Sequence, residues 1–377
     1  MEFVTEIGSN VAGYALPFLF VLGIIIFVHE MGHFLVARWC GVAVDAFSIG
    51  FGPELLGRTD RVGTRWKLCA IPLGGYVKFA GDENVASVPD KAAVDRMSEA
   101  ERRTSFQLKP LWQRAAIVAA GPIANFILAI AIFAIYFAVA GRPMADAVIS
   151  SVEPESPAAI AGFEAGDAIL AIDGRNMRSF SDVQRVVASA AGEDLTFTID
   201  RGGSTLDLVA TPERRELTDP LGNPFTQGVL GVRRDVGAEG IPRQRLGPVG
   251  ALSAGVEETI YITRRTVEVV GGIIVGTQSA SQLGGPIRVA QVSGEVASIS
   301  IAALFTLAAM LSISIGLINL MPIPMLDGGH LLFYAVEGLR GRPLSERAQD
   351  VGFRIGLGLV LLLMGFATFN DIMHLTS

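Results

Sequence analysis

The chain has 377 residues, half of them hydrophobic, and a formal net charge of −7. That balance fits a polytopic membrane protein with room for one soluble domain, and it gives no reason to expect nucleic acid. Its two cysteines, Cys40 and Cys69, fall in a segment expected on the cytoplasmic side and have no partner at zinc-ligand spacing, so neither a disulfide nor a cysteine metal site is expected.

The first segment, residues 1–40, contains the apolar run Val11–Ala37, long enough to span a bilayer as a helix. No Lys or Arg precedes Arg38, so a permanent helix is expected rather than a cleaved signal peptide. Inside the run stands His29-Glu30-Met31-Gly32-His33. Ionisable groups at that depth are costly, roughly 2.5–3.5 kcal/mol each for Asp, Lys or Arg on insertion scales. In a soluble chain HExxH is short, and charged helix faces are common. Within an apolar helix a solvated face is not available, so something must offset the cost. On a helix His29 and His33 lie one turn apart on one face and can reach one ion, while Glu30 beside them can take a proton from water that the ion acidifies. The pattern points to a zinc hydrolase.

Residues 41–82 alternate apolar and polar positions between glycines and prolines, which predicts short strands and hairpins. The region is apolar enough to lie at or in the membrane, where a free strand edge can pair with an extended peptide. Residues 83–114 are polar, charged and without periodicity, and are expected to form a cytoplasmic loop. The second span is 115–140. The outer segment 144–213 alternates turn signals with short apolar runs: a helix-like Ser156–Phe163, a Gly-Asp turn, a strand, a helix over Ser181–Ala190, and a hairpin of Leu195–Asp200 with Thr205–Ala210. Residues 214–298 are read as linker and amphipathic helices. Ala251–Gly276 has apolar residues at helical spacing among charges, and is expected to break at Gly271-Gly272.

The third span lies in 299–330, the cytoplasmic connection in 331–350 and the fourth span in 351–370. Residues 1–12 and the tail after Phe369 lack Lys and Arg, whereas Arg38–Arg114 holds twelve and the last connection adds Arg340, Arg342 and Arg347. Positive loops stay inside, so both termini and the segment between spans two and three face outward. Helices one and three then both run inward, and Asp327 arrives at a depth similar to that of the histidines. Pro322 and Pro324 break the third helix there. A catalytic zinc with two His needs a third protein ligand and an open position, for which Asp327 is the best candidate. Alternatively Asp327 is a turn residue before Gly328-Gly329, and His330 is a competing ligand. His374 is expected to be solvated.

Together, HExxH in the first span, Gly121-Pro-Ile-Ala-Asn125 in the second and Asn319-Leu-Met-Pro-Ile-Pro-Met-Leu-Asp327-Gly-Gly-His330 at the third resemble the site-2 proteases. The segment from Ser156 to Gly174 resembles a PDZ domain, placed as in the bacterial regulator of sigma-E protease group. The resemblance implies a polytopic α-helical membrane protein with four transmembrane helices, a membrane-associated β region and one extracytoplasmic PDZ-like α+β domain. It implies zinc as cofactor, His29, His33 and Asp327 as its ligands, Glu30 as the catalytic acid/base, and Asn125 and Asn319 as residues that handle substrate backbone. It further implies cleavage of transmembrane segments of single-pass proteins, such as anti-sigma factors pre-trimmed by an upstream site-1-type protease, or remnant signal peptides, in a bacterial inner membrane. The best-known members carry two tandem PDZ domains; here only one is evident. A metallopeptidase acting on extramembrane peptides and a non-catalytic PDZ-bearing receptor are the rival readings.

Overall fold

The computed structural model describes residues 2–80, 97–143, 146–177, 179–218, 224–235, 243–276 and 284–376. The expected cytoplasmic loop up to residue 96, parts of the linker and the side chain of His374 lie outside the described residues. Two compact units are present: Met1–Phe133, Gly255–Thr263 and Leu283–Ser377 form one, and Ala134–Ala254 with Arg264–Gln282 the other.

In chain order, α1 (Glu2–Trp39) contains the HExxH pair and leads into β1 (Val44–Thr59) and β2 (Arg65–Phe79). A short α2 (Glu99–Thr104), opened by a capping box between Ser98 and Glu101, precedes α3 (Leu111–Ala140). Next come β3 (Arg142–Pro143), β4 (Ser151–Val152), α4 (Pro157–Ala161), β5 (Ala168–Ile172), β6 (Arg175–Asn176) and α5 (Phe180–Ser189). They are followed by β7 (Leu195–Arg201), β8 (Ser204–Ala210), β9 (Glu213–Thr218), β10 (Pro224–Val229), β11 (Val232–Arg233) and β12 (Arg243–Gln244). The chain finishes with α6 (Pro248–Val275), α7 (Pro286–Ile299), α8 (Ile301–Leu320), α9 (Asp327–Arg340) and α10 (Glu346–Thr376). Among the described residues, four helices are long and apolar enough to cross a membrane: Gly13–Trp39 of α1, α3, α8, and Arg347–Met373 of α10.

In the first unit, β1 and β2 fold back on themselves. Ala46–Ile49 pairs on one side with Gly75–Lys78 and on the other with Arg65–Leu68, and Leu56–Thr59 pairs with Arg65–Leu68 in turn. The two long strands therefore act as four short segments, in the order 56–59, 65–68, 46–49, 75–78. Gly50 supplies the bend in β1: its φ is +87°, and a Cβ there would sit 2.7 Å from the Ile71 carbonyl oxygen. Aromatic packing pins the sheet to α1, with Phe47 stacked on Trp66 (4.6 Å between centroids) and edge-on to Phe34 (5.7 Å). Val21 and Ile25 of α1 pack with Leu304 and Ala308 of α8 in a separate buried cluster.

A buried carboxylate tethers α7. Asp371, 3% exposed near the end of α10, accepts the backbone N–H groups of Gly285 (2.8 Å), Ile287 (3.0 Å) and Arg288 (3.2 Å). Gly285 and Pro286 cannot cap the helix with a side chain, so a distant carboxylate satisfies the first-turn donors and complements the helix dipole. Asp371→Ala is expected to cost about 2–4 kcal/mol, because buried donors are left without an acceptor. A lower unfolding temperature in detergent checks this; an unchanged one refutes the role of the tether.

The second unit centres on the sheet β6-β5-β7-β8. Its core joins Ile149, Phe163, Ile169, Ile172, Val183, Phe197, Ile199 and Leu230. Ser156 and Ser179 cap α4 and α5. Asp167, 1% exposed, receives a two-pronged contact from Arg201 (2.7 Å from Nε and 2.7 Å from Nη2) and the Glu164 N–H (2.9 Å). Burial pushes its carboxyl up, but the guanidinium and the N–H outweigh burial and hold it below the usual carboxylate range. The unit extends beyond the expected end at residue 213. β9 and β10 pair, β11 pairs with β4, and Leu230 is 2% exposed in the core. Residues 224–233, expected to be linker, belong to this unit because tertiary pairing overrides their irregular composition.

The expected break in α6 is absent. The helix runs through Gly271-Gly272 to Val275 and ends at Gly276, whose φ is +82°. Interior glycines cost about 1 kcal/mol each relative to Ala but keep their N–H, so the hydrogen-bond ladder continues.

Candidate metal centre

His29 and His33, both 9% exposed, project from one face of α1 with their Nε2 atoms 3.2 Å apart. Asp327 reaches them from the far end of the chain. Its Oδ2 lies 3.2 Å from His29 Nε2 and 3.6 Å from His33 Nε2. Among the described residues this is the one cluster of three His, Cys, Asp or Glu side chains close enough to share an ion, with ligand atoms within 4.8 Å of one another.

The break after α8 delivers Asp327. Pro322 and Pro324 withhold two N–H groups, Met325 adopts φ +87°, and α9 starts at Asp327. The chain doubles back so tightly that a Cβ at Gly328 would lie 2.2 Å from the Met321 carbonyl oxygen. One at Gly329 would lie 2.5 Å from that of Ile323. Asp327 is therefore the first helical residue, with Leu326 as N-cap, rather than part of a simple Asp-Gly turn. His330, the competing ligand, lies one turn on. Its ring packs against Phe353 (5.4 Å) and Tyr334 (6.4 Å) and lines a cleft with Arg114 and Glu337, apart from the three-residue cluster.

The donor set fits a cation. Asp327 Oδ2 is buried with no hydrogen-bond donor, although two imidazole nitrogens face it. Lone pairs of two imidazole nitrogens and a carboxylate converging on one point repel unless a proton or a cation sits among them. Tetrahedral ligands at about 2.1 Å from zinc stand roughly 3.4 Å apart, which matches the observed separations. Two nitrogens, one oxygen and a free position are the composition of a catalytic zinc site.

α3 holds both imidazoles from behind. His33 Nδ1 lies 2.8 Å from the Ile117 carbonyl oxygen. A carbonyl only accepts, so Nδ1 carries the proton and Nε2 keeps its lone pair for a metal. His29 Nδ1 lies 3.2 Å from the Asn125 side-chain amide. Asn125 is fully buried, and its backbone oxygen accepts Ser312 Oγ at 2.9 Å. Between them stands Gly121, where a Cβ would come within 2.2 Å of His33 Nε2. Residues 117, 121 and 125 share one helix face, so α3 presents a carbonyl, a gap and an amide to the two rings.

Glu30 sits beside its neighbours on α1 but turns to the sheet. Its carboxylate faces the backbone at Val77, and Gly75 admits it, since a Cβ there would meet Glu30 Cγ at 3.0 Å. The Gly75–Lys78 edge segment thus lies against the carboxylate. Asn319 is placed differently: its Nδ2 donates to Ile315 O (3.0 Å) within its own helix. Sequence reasoning missed the Ile117 carbonyl, for which no side-chain signal exists. It also missed the contact of Gly75 and Val77 with Glu30; the Gly74-Gly75 pair in an otherwise strand-like run was the available sign.

Residues 17–363 match the sequence model of Peptidase family M50. A relative from Agrobacterium fabrum is 52% identical over 363 residues, 96% of each chain. One from Rhizobium meliloti is 51% identical over 360 residues, 95% of this chain and 96% of its own. Both carry zinc-metalloprotease names. Metalloprotease MmpA of Caulobacter vibrioides is 41% identical over 376 residues, 94% of each chain.

Proposed function

This chain belongs to Peptidase family M50, the zinc-dependent site-2 metalloproteases, and on that footing we propose that it cleaves peptide bonds within the transmembrane segments of single-pass membrane proteins. The observation that carries the reading is the His29–His33–Asp327 cluster, its two histidines inside an apolar helix with Glu30 and a strand edge beside them. Family membership leaves the non-catalytic receptor reading without support.

In this reading His29 Nε2, His33 Nε2 and Asp327 Oδ2 hold the zinc. The metal supplies Lewis acidity, acidifying water and polarising the scissile carbonyl. Glu30 accepts the proton of the attacking water and returns it to the leaving nitrogen. A helical substrate hides its carbonyls in hydrogen bonds, so it must unwind first. The Gly75–Lys78 edge, next to Glu30, offers backbone groups to an extended peptide and offsets part of that cost. Asn319, near the end of α8, is the candidate for handling substrate backbone, whereas Asn125 is buried against His29.

The charge pattern of the connections supports a topology with both termini and the β-rich unit outside a bacterial inner membrane and the site toward the cytoplasmic leaflet. There the PDZ-like unit acts on substrates already trimmed by an upstream site-1-type protease, anti-sigma factors and remnant signal peptides being the expected classes. The test is cleavage of a labelled single-pass substrate in proteoliposomes, with and without chelator. Chelator-sensitive cuts within the apolar segment support the reading. Cuts confined to residues outside the segment favour a peptidase of extramembrane substrates, and no chelator-sensitive cleavage sinks both.

A further inference from the structure

We infer that Asn125 is a positioning residue for the metal centre: its side-chain oxygen accepts the Nδ1–H of His29 and so fixes the ligand's tautomer. The inference rests on His29 being a zinc ligand through Nε2.

An imidazole that gives one nitrogen to a metal carries its proton on the other, and that N–H needs an acceptor. For His33 the acceptor is the Ile117 carbonyl, 2.8 Å from Nδ1. For His29 the group in reach is the Asn125 amide, whose nitrogen lies 3.2 Å from Nδ1. That orientation makes Nδ1 the acceptor and puts the ring proton on Nε2, where it would face His33 Nε2 at 3.2 Å and Asp327 Oδ2 at 3.2 Å in place of a cation. Asp327 Oδ2 lacks a donor of hydrogen-bond geometry, and a proton on His29 Nε2 would occupy the point on which the three ligand atoms converge. Meanwhile Asn125 Oδ1 is buried without any partner, in a residue with no exposed surface. Amide nitrogen and oxygen are nearly the same size, and a half-turn about the last side-chain torsion exchanges them without disturbing the packing. Turned so, Oδ1 meets the Nδ1–H, and Nε2 offers its lone pair to the same point as His33 Nε2 and Asp327 Oδ2.

The two supports come from one helix at eight-residue spacing, Ile117 by its backbone and Asn125 by its side chain. The difference has a structural reason. At position 117 the ring is close enough for the main chain. At position 125 an amide bridges the gap, and the hydrogen bond from Ser312 Oγ to the Asn125 backbone oxygen (2.9 Å) secures this part of α3 to α8.

Three versions of the full chain in detergent decide it: unaltered, Asn125→Leu, which keeps the bulk but removes the acceptor, and Asn125→Asp, which keeps an acceptor oxygen. Zinc affinity is read by competition with a chromophoric chelator. The His29 Nδ1–H is read by proton–nitrogen NMR on histidine-labelled, zinc-loaded protein. The Leu variant should bind zinc about 10–100-fold more weakly and lose the downfield, exchange-protected Nδ1–H signal. The Asp variant should bind at least as tightly as the unaltered chain and retain the signal. Zinc affinity in the Leu variant within twofold of the unaltered chain overturns the inference. So does an Asp variant more than tenfold weaker than the unaltered chain, and this arm stands alone if the Leu variant fails to fold. A substrate-handling role would instead raise KM in the Leu variant with zinc affinity unmoved. Absence of zinc binding in the unaltered chain would refute the metal-site reading itself, a result distinct from every other outcome.

Discussion

Glu30→Gln is expected to lower cleavage by about 10²–10⁴-fold, the usual contribution of a positioned general base, while the protein still binds zinc. Glutamine keeps the length of the side chain and its contact with the Val77 backbone, but cannot take up a proton at neutral pH. Glu30 is absent from the three-atom cluster formed by His29, His33 and Asp327, so the substitution leaves the ligand set whole. Metal content and turnover should therefore separate cleanly. One zinc per chain with cleavage at the level of the chelated protein is the expected pair of results. Full cleavage would eliminate Glu30 as the base. Loss of zinc together with cleavage would make Glu30 a ligand and reopen the assignment of Asp327. The same variant should hold substrate without turning it over, and the captured species can be identified by mass spectrometry.

The convergence of His29, His33 and Asp327 was readable in the chain because a membrane span removes the bland alternative. A His–Glu–His face on a soluble helix has many harmless explanations, whereas the same face in Val11–Ala37 has few. The arginine bias of the short connections pointed to Asp327 as a partner of the histidines, and its Oδ2 stands 3.2 and 3.6 Å from their Nε2 atoms. What could not be read was whatever depends on backbone atoms and on close approach. The Ile117 carbonyl supports His33, and no side chain announces it. The Val77 backbone meets Glu30 only because β1 and β2 fold back and Gly75 lets the edge segment approach α1. The end of the β-rich unit was misplaced for a related reason. Residues 224–233 look irregular locally, and they join the core through Leu230 and through pairing with a strand some 80 residues earlier, information that no window of sequence contains.

Gly121→Ala is expected to abolish zinc binding and cleavage while leaving the fold intact. Local preference runs the other way, since alanine is favoured over glycine in a helix interior by about 1 kcal/mol. The cost is steric and falls on the ligand atom itself: the new Cβ would stand 2.2 Å from His33 Nε2 and 2.9 Å from His29 Cε1. His33 cannot turn aside without breaking the 2.8 Å contact from Nδ1 to the Ile117 carbonyl. α1 and α3 have little slack to separate, because Gly32 already brings them so near that its own Cβ would lie 2.3 Å from the Ala120 oxygen. Gly358→Ala is the matched control. It lies in α10 with nothing within 4 Å of the added carbon. That change should leave zinc affinity alone and stabilise by about 0.4–1 kcal/mol through the unfolded chain. At Gly121 the helix preference should hold the unfolding temperature of the zinc-free protein near that of the unaltered chain even as metal is lost. Zinc affinity in Gly121→Ala within tenfold of the unaltered protein would mean that α3 moves away from α1 under modest force. The carbonyl of Ile117 and the amide of Asn125 would then be loose supports for the two imidazoles rather than a fixed template.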